Sequence, residues 1–366
     1  MTTVTSVVLA GGGSAGHVSP LVATADALRR HHPDVRITCV GTAEGLEARL
    51  VPERGYTLRT IPKVPFPRRP GVAMLRLPGA LKAAVDAAGR VIDEAGAQVV
   101  VGFGGYVSTP VYLAARNRRV PIVIHEQNSV PGLANKLGAR LTPYVATTFS
   151  QTRLRGSRLL GMPLRAEITG LDRAASRAEA LAEFGLADHR PTVLVTGGSL
   201  GAAQLNESFA SSADALLSAG VQVLHLTGAG KVPAALADRP VAADGPRYVV
   251  REYCDRMDLA YAAADLVVCR AGANTVTEVT TVGLPAVYVP LPIGNGEQRR
   301  NATDVVNEGG GVVVDNDAVT PQWVTGELTR LALDAPRLEA MARAAASLGS
   351  ATAADDMVRL VEEAVR

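Results

Sequence analysis

Short, largely apolar runs alternate with longer alanine-rich or amphipathic stretches from one end of the chain to the other. Val4–Ala10, Arg36–Val40, Gln98–Val101 and Pro121–Ile124 read as strands of one sheet. Between them, Pro20–Arg30 and Gly79–Ala95 have the composition and spacing of helices. The pattern restarts at Thr192–Thr196 and continues through Val221–Leu226, Arg247–Val250, Leu266–Cys269 and Ala286–Val289. Strands alternating with helices predict right-handed βαβ units wound on both faces of a parallel sheet. Two such series predict an α/β protein of two Rossmann-like domains, residues 1–163 and 164–350, joined near Gly161-Met162-Pro163. A last helical stretch, 351–366, is open to packing on either domain, including back on the N-terminal one.

A chain of 366 residues is long enough for two domains of ordinary size. Aromatics make up only 4% of it, which suits layered helices on parallel sheets. A net charge of +2 argues against a grossly basic nucleic-acid binder, and no nucleic-acid partner is expected. Cys39, Cys254 and Cys269 are too widely spaced for a disulfide framework or a zinc site. Met1–Leu9 lacks a basic leader and runs straight into glycines, so it reads as a first strand rather than a signal peptide. No apolar run reaches the roughly 20 residues that span a bilayer, and a cytosolic or membrane-surface protein is expected. Segment Ile61–Lys82 stands out: Lys63, Arg68, Arg69, Arg76 and Lys82 surround Phe66, Met74, Leu75 and Leu77 among several prolines. An apolar tip in a basic collar fits an anionic membrane surface; a solvated loop leading into a core-packed helix fits equally.

The densest chemistry follows the strand-like run ending at Cys269. Arg270-Ala271-Gly272-Ala273-Asn274-Thr275-Val276-Thr277-Glu278 opens a helix with small residues and places Glu278 one turn inside. A helix start offers backbone N–H groups to a phosphate, and a carboxylate one turn on can accept from both ribose hydroxyls. Glycine turns also follow strands at Gly11-Gly12-Gly13-Ser14-Ala15-Gly16, Gly102-Phe103-Gly104-Gly105 and Gly197-Gly198-Ser199-Leu200-Gly201. The first satisfies G-x-G-x-x-G, but no acidic residue ends the second strand and His17 follows at once, so a dinucleotide fit is poor. Three such loops at carboxyl ends of strands suggest a ligand cleft lined by backbone amides, with the Ser199 hydroxyl as a further phosphate donor. His125-Glu126-Gln127-Asn128 groups four polar residues at a strand tip, for holding hydroxyls, for orienting a neighbouring side chain, or as a satisfied buried His–Glu pair. Glu297-Gln298 offers carboxylate and amide to a sugar. Asp315-Asn316-Asp317 resembles a metal-binding D-x-D but sits beside a probable turn, and no metal is assigned.

In combination, Gly11–His17, Gly102–Ser108, His125–Asn128, Gly132–Lys136, Gly197–Gly201, Arg270–Glu278 and Glu297–Asn301 resemble the MurG family of peptidoglycan glycosyltransferases over essentially the whole chain. The resemblance implies a GT-B fold, two Rossmann-like domains facing across a cleft. It implies transfer of N-acetylglucosamine from its UDP conjugate to undecaprenyl-pyrophosphoryl-N-acetylmuramoyl-pentapeptide, lipid I. The acceptor would use the N-terminal domain and the UDP-sugar mainly the C-terminal one, without a cofactor or essential metal, at the cytoplasmic face of the membrane. Carried over by position, Ser14, Ala15 and Gly16 approach the donor and Asn128 contacts the sugar. Arg165 and Ser199 lie on the pyrophosphate side, and Cys254 falls where a backbone group receives the uracil. Ala273, Asn274, Thr275, Val276 and Thr277 form the helix start under the phosphates, Glu278 meets the ribose, and Gln298 the N-acetylglucosamine hydroxyls. Gly104, Gly105 and Tyr106 fall on the acceptor side, and Ile61–Lys82 lies near the family's membrane patch.

The chain departs from the family pattern at Leu200, usually Gln, at Asn274, usually Leu or Met, and at Ser14, commonly Thr. These departures leave room for a divergent second copy with another lipid or natural-product acceptor. His17 is the first candidate base for the acceptor hydroxyl, since histidine ordinarily titrates near neutrality. His125 with Glu126 is the reserve, or a pair orienting the acceptor. A UDP-sugar 2-epimerase and a non-catalytic binding subunit are the competing classes.

Overall fold

The computed structural model describes residues 3–64, 72–237, 245–293 and 295–366. The chain forms two compact units, Met1–Arg165 with Ala351–Arg366, and Ala166–Ser350. In the first, seven strands form one sheet: β1 (Ser6–Ala10), β2 (Arg36–Gly41), β3 (Thr57–Thr60), β4 (Val99–Gly102), β5 (Ile122–Glu126), β6 (Tyr144–Thr147) and β7 (Ser157–Leu159). Their order is β3-β2-β1-β4-β5-β6-β7. All neighbours are parallel, and the order reverses between β1 and β4. Ala10 lies opposite both Val40 and Gly102, and Gly102 opposite Ile124. The chain therefore leaves β1 and β4 at one level, while His125 and Glu126 extend β5 past it.

Strand side chains alternate between two cores, as a period of two requires. Val7, Leu9 and Val101 pack with Leu21 and Leu28 of the helix Ala15–His31 and with Met357 and Val361 of the C-terminal helix Ala353–Val365. Val8, Val100 and Ile124 pack on the other face with Ile92, Val111 and Tyr112. The C-terminal helix is further tied down by Arg30–Asp355, His32–Glu362 and Arg158–Glu363 pairs. The helix expected from Pro20 begins at Ala15, so Pro20 lies in its second turn, where it donates no backbone hydrogen bond.

The second unit repeats the plan with β8 (Thr192–Thr196), β9 (Gln222–Leu226), β10 (Tyr248–Arg251), β11 (Leu266–Cys269), β12 (Ala286–Tyr288) and β13 (Gly311–Val313). The parallel order is β10-β9-β8-β11-β12-β13, reversing between β8 and β11. Its core joins Val193, Val195, Val268 and Val287 to Leu205, Phe209 and Leu328.

Of the segment Ile61–Lys82, residues 65–71, with Phe66 and Arg68–Arg69, lie outside the described residues. Ile61 and Val64, at the start of the segment, are buried, while Lys63 and Lys82 are exposed and Leu77 half-buried. Among the described residues no helix is long and apolar enough to cross a membrane. Cys39 and Cys269 are buried and Cys254 half-buried, all three as free thiols.

Candidate active site

In the first unit the loops leaving β1, β4 and β5 meet at the carboxyl edge of the sheet, beside its topological switch. The glycine turn after β1 is pinned from below by Glu47. This fully buried carboxylate accepts from Gly13 N (2.8 Å), Thr42 N (2.8 Å) and Thr42 Oγ1 (2.9 Å). Burial alone would raise its pKa, but the hydrogen bonds from Gly13 and Thr42 outweigh it and hold the carboxyl below its ordinary range. A Cβ on Gly12 or Gly41 would lie 2.3 Å from Glu47 atoms, so the glycines make room for the carboxylate as much as for a ligand. The loop after β4 closes over the same turn. Gly105 has φ +82°, and a Cβ there would meet Gly12 O at 2.5 Å. On Gly104 a Cβ would press on the His17 ring, 3.2 Å from Cε1. These two glycines thus fit the loop against His17. Tyr106 beside them is exposed, with the Lys63 ammonium 5.4 Å above its ring.

His17 is half-buried in the first turn of its helix, and its Nδ1 lies 3.0 Å from Gln127 Oε1. Its Nε2 has no hydrogen-bond partner among the described residues. His125, by contrast, is fully buried, with Nε2 donating to Gly161 O (2.8 Å) and Nδ1 facing Gln127 Nε2 (3.0 Å). Burial lowers its pKa to about 4, against the raising effect of the Gly161 carbonyl. Glu126 is also buried, accepting from Asn128 N, Gly132 N and Asn135 Nδ2 at 2.9–3.0 Å. Burial pushes this carboxyl up while those donors oppose the rise. Asn135 in turn donates to His125 O and accepts from the buried Tyr112 hydroxyl. Both ring nitrogens of His125 and both carboxylate oxygens of Glu126, the expected reserve base or acceptor-orienting pair, are engaged in hydrogen bonds within the unit. Asn128 is half-buried at the rim, its carbonyl accepting from Thr152 Oγ1. Ser14 precedes the helix in an exposed extended conformation without a side-chain cap hydrogen bond, Ala15 and Gly16 begin the helix, and Arg165 is half-buried at the end of the unit.

In the second unit the site residues sit at the carboxyl ends of β8, β11 and β12, and are more open. Ser199 and Leu200 are exposed at the tip of the turn after β8, Leu200 by 79%. After β11, Arg270 donates to Val289 O and Pro290 O, which ties the neighbouring loop to the helix start. The helix Ala273–Thr281 begins behind Gly272, which provides no side-chain cap. The N–H groups of its first turn suit an anion. Within it Asn274, Thr275 and Thr277 are half-buried, Val276 is buried, and Thr277 Oγ1 bonds back to Ala273 O. Glu278 lies in the second turn, half-buried, with Oε2 accepting from the Tyr261 hydroxyl at 2.8 Å. Gln298 accepts from Leu291 N at 2.9 Å, which fixes its amide on the loop after β12. Cys254 follows the edge strand β10, and burial raises its thiol pKa. Asp315 pairs with Arg299, and Asn316 bonds Asp317 within a short 3₁₀ turn. Among the described residues no cluster of three or more His, Cys, Asp or Glu is placed to hold a metal ion.

Sequence reading singles out neither Glu47 nor Tyr261, and takes Gln127 and Asn135 only as members of the runs His125–Asn128 and Gly132–Lys136. Their partners lie 2 to 110 residues away, and all but the nearest are brought together by the fold.

Two Rossmann-like units, each with glycine turns at the carboxyl edge of its sheet, define the GT-B class of glycosyltransferases. The pattern of the glycosyltransferase family 28 N-terminal domain matches residues 7–147, and that of its C-terminal domain residues 192–357. The chain is 57% identical, over 359 residues covering 98% of it and 97% of the relative, to the UDP-N-acetylglucosamine–N-acetylmuramyl-(pentapeptide) pyrophosphoryl-undecaprenol N-acetylglucosamine transferase of Nocardioides sp. (strain ATCC BAA-499 / JS614). The crystal structure of Acinetobacter baumannii MurG superposes with a TM-score of 0.79 at 30% identity, covering 98% of this chain and 99% of that one. The calicheamicin glycosyltransferase CalG4, at 20% identity and a TM-score of 0.67 over 99% of each chain, shares the fold alone. The chain belongs to glycosyltransferase family 28 and, within it, to the MurG family.

Proposed function

We propose that the protein transfers N-acetylglucosamine from UDP-N-acetylglucosamine to the 4-hydroxyl of the muramoyl sugar of lipid I, making lipid II. The observation that carries this is similarity above half identity, along both units, to a transferase of that name. The donor is held by the second unit. The helix start at Ala273–Thr277 and the Ser199 turn receive the pyrophosphate, Glu278 accepts from the ribose hydroxyls, and Gln298 holds the sugar. Tyr261 fixes the Glu278 carboxylate for that task.

The acceptor hydroxyl is activated by the first unit. His17 Nε2 takes the hydroxyl proton while the oxygen attacks the anomeric carbon from the face opposite UDP. The new C–O bond forms as the bond to the β-phosphate oxygen breaks, and that electron pair leaves on UDP, inverting the centre to a β-1,4 link. Charge gathers on the leaving diphosphate, where the dipoles and amides of the helix starts stabilise it. Gly104 and Gly105 keep the acceptor-side loop close to His17, and Tyr106 lines it. With a lipid-linked acceptor the protein works at the cytoplasmic membrane surface, with Ile61–Lys82 as the contact segment.

The test is transfer from labelled UDP-N-acetylglucosamine to a lipid I analogue, with and without EDTA. Transfer that persists in EDTA is the expected result. Hydrolysis or epimerisation of the donor without acceptor, or donor binding with no transfer to the lipid, would overturn the reading.

A further inference from the structure

The hydrogen bonds between β5 and the first glycine turn settle where two imidazoles carry their protons. Two backbone carbonyls anchor the assignment, because a carbonyl only accepts. Gly161 O faces His125 Nε2 at 2.8 Å, so the His125 proton is on Nε2 and its Nδ1 is a bare acceptor. Burial keeps this ring neutral. His125 O lies 2.9 Å from Gln127 Nε2, so the amide nitrogen is on that side, where it also donates to His125 Nδ1 at 3.0 Å. The Gln127 oxygen must then face His17, and it lies 3.0 Å from His17 Nδ1. An amide oxygen cannot donate, so Nδ1 of His17 bears a hydrogen in either charge state.

We propose that Gln127 is a positioning residue for the transfer, holding neutral His17 in the tautomer with its hydrogen on Nδ1 and the lone pair on Nε2. The proposal rests on His17 being the base. Free imidazole carries its proton on either nitrogen, and the form with hydrogen on Nε2 cannot take a proton there. Gln127 itself is fully buried and cannot turn its amide over. A flip would set its oxygen against the His125 carbonyl and against a bare ring nitrogen, leaving two buried acceptors, that oxygen and His125 Nδ1, unsatisfied while Asn135 still serves the carbonyl. His125 thereby acts through Gln127, and Gly161 through His125, as a three-step chain ending at the base. When His17 accepts the acceptor proton, the same Gln127 oxygen continues to receive the Nδ1 hydrogen, so the ring charges without moving.

The direct test is long-range proton–nitrogen NMR on the full protein labelled at the histidine ring nitrogens, with His17→Ala assigning the signal. A neutral His17 with protonated Nδ1 and unprotonated Nε2 is expected, and a proton on Nε2 overturns the proposal without any need of a Gln127 variant. Gln127→Met keeps the length and removes both ends of the link. It should shift His17 toward the Nε2–H form and lower kcat by about 10- to 100-fold with the KM for UDP-N-acetylglucosamine unchanged. Combined with His17→Ala it should add nothing further. Gln127→Glu, kept protonated by burial, donates its O–H toward His125 and keeps an acceptor toward His17, and should recover the Nδ1–H form and part of kcat. An unaltered tautomer and kcat in folded Gln127→Met overturns the positioning role. If instead His17→Ala retains full kcat, the base assignment has failed, while the NMR spectrum still reports the tautomer.

Discussion

The two carboxyl-edge sites are built on the same sheet plan and solved in opposite ways. In the first unit the polar groups are buried and cross-linked: Glu47 under the glycine turn, Glu126 and Asn135 under the next loop, and Gln127 between two histidines. In the second unit the corresponding turn is exposed at Ser199 and Leu200, and the helix at Ala273, like the one at Ala15, starts without a side-chain cap. A base needs one ring, one tautomer and one orientation, which only a satisfied buried network can impose. A diphosphate needs N–H groups left available, which a capped or buried helix start would already have used.

Acid should erode both units alike, because each buries one neutral histidine. Burial lowers His125 and His225 from the ordinary value near 6.5 to about 4. Between those values the unfolded chain binds protons that the folded one refuses, so stability is full above about pH 6.5 and falls as pH drops toward 4. Each histidine contributes a loss of about 3 kcal/mol once the pH is below both values. Urea midpoints by circular dichroism, with fluorescence of the single tryptophan, Trp323, reporting the second unit, should both fall from pH 7 to pH 4.5. A constant midpoint for Trp323 would place His225 outside this account.

The open site should respond to substitution in binding rather than stability. Glu278→Ala should raise the donor KM by roughly 10- to 100-fold, the value of charge-assisted hydrogen bonds to two hydroxyls, and leave the urea midpoint nearly unchanged. The closed site should respond the other way. Glu47→Gln replaces one acceptor by a donor facing Gly13 N or Thr42 N, at a cost of about 1–3 kcal/mol for the unsatisfied group, with lower kcat as the glycine turn loosens. Since the Glu47 carboxyl is held below its ordinary range, its contribution is present at neutral pH and lost as pH falls, and Glu47→Gln should flatten the acid limb of the stability curve. The smallest effect is expected from Tyr261→Phe, which removes one hydrogen bond to Glu278 and should raise donor KM about 3- to 10-fold. A Tyr261→Phe effect on kcat alone would blur the division between the sites.

The architecture was legible where strands are buried on both faces. Leu266–Cys269 and Thr192–Thr196 carry no polar interruption, and the structure has strands with those limits. The short strands Thr57–Thr60, Ser157–Leu159 and Gly311–Val313 went unread, because an edge or near-edge strand needs few apolar residues and these have threonine, serine, arginine and glycine. At the site, glycine turns and the acidic helix residue have local signatures that a sequence displays. The network beneath them does not. The sequence places no acidic residue at the end of β2, yet Glu47 enters the glycine cradle because the chain turns into a helix there. Gln127 stands in a row of four polar residues, the first three all buried, and polarity at a strand end does not distinguish a ligand contact from a framework bond.

The division of labour itself is tested most directly by measuring, for His17→Ala, donor affinity by calorimetry and the single-turnover transfer rate on the same preparation. The account predicts a Kd for UDP-N-acetylglucosamine equal to that of the unmodified protein and a rate lower by roughly 10²- to 10⁴-fold. A rate that survives, or an affinity that falls in step with the rate, would contradict it.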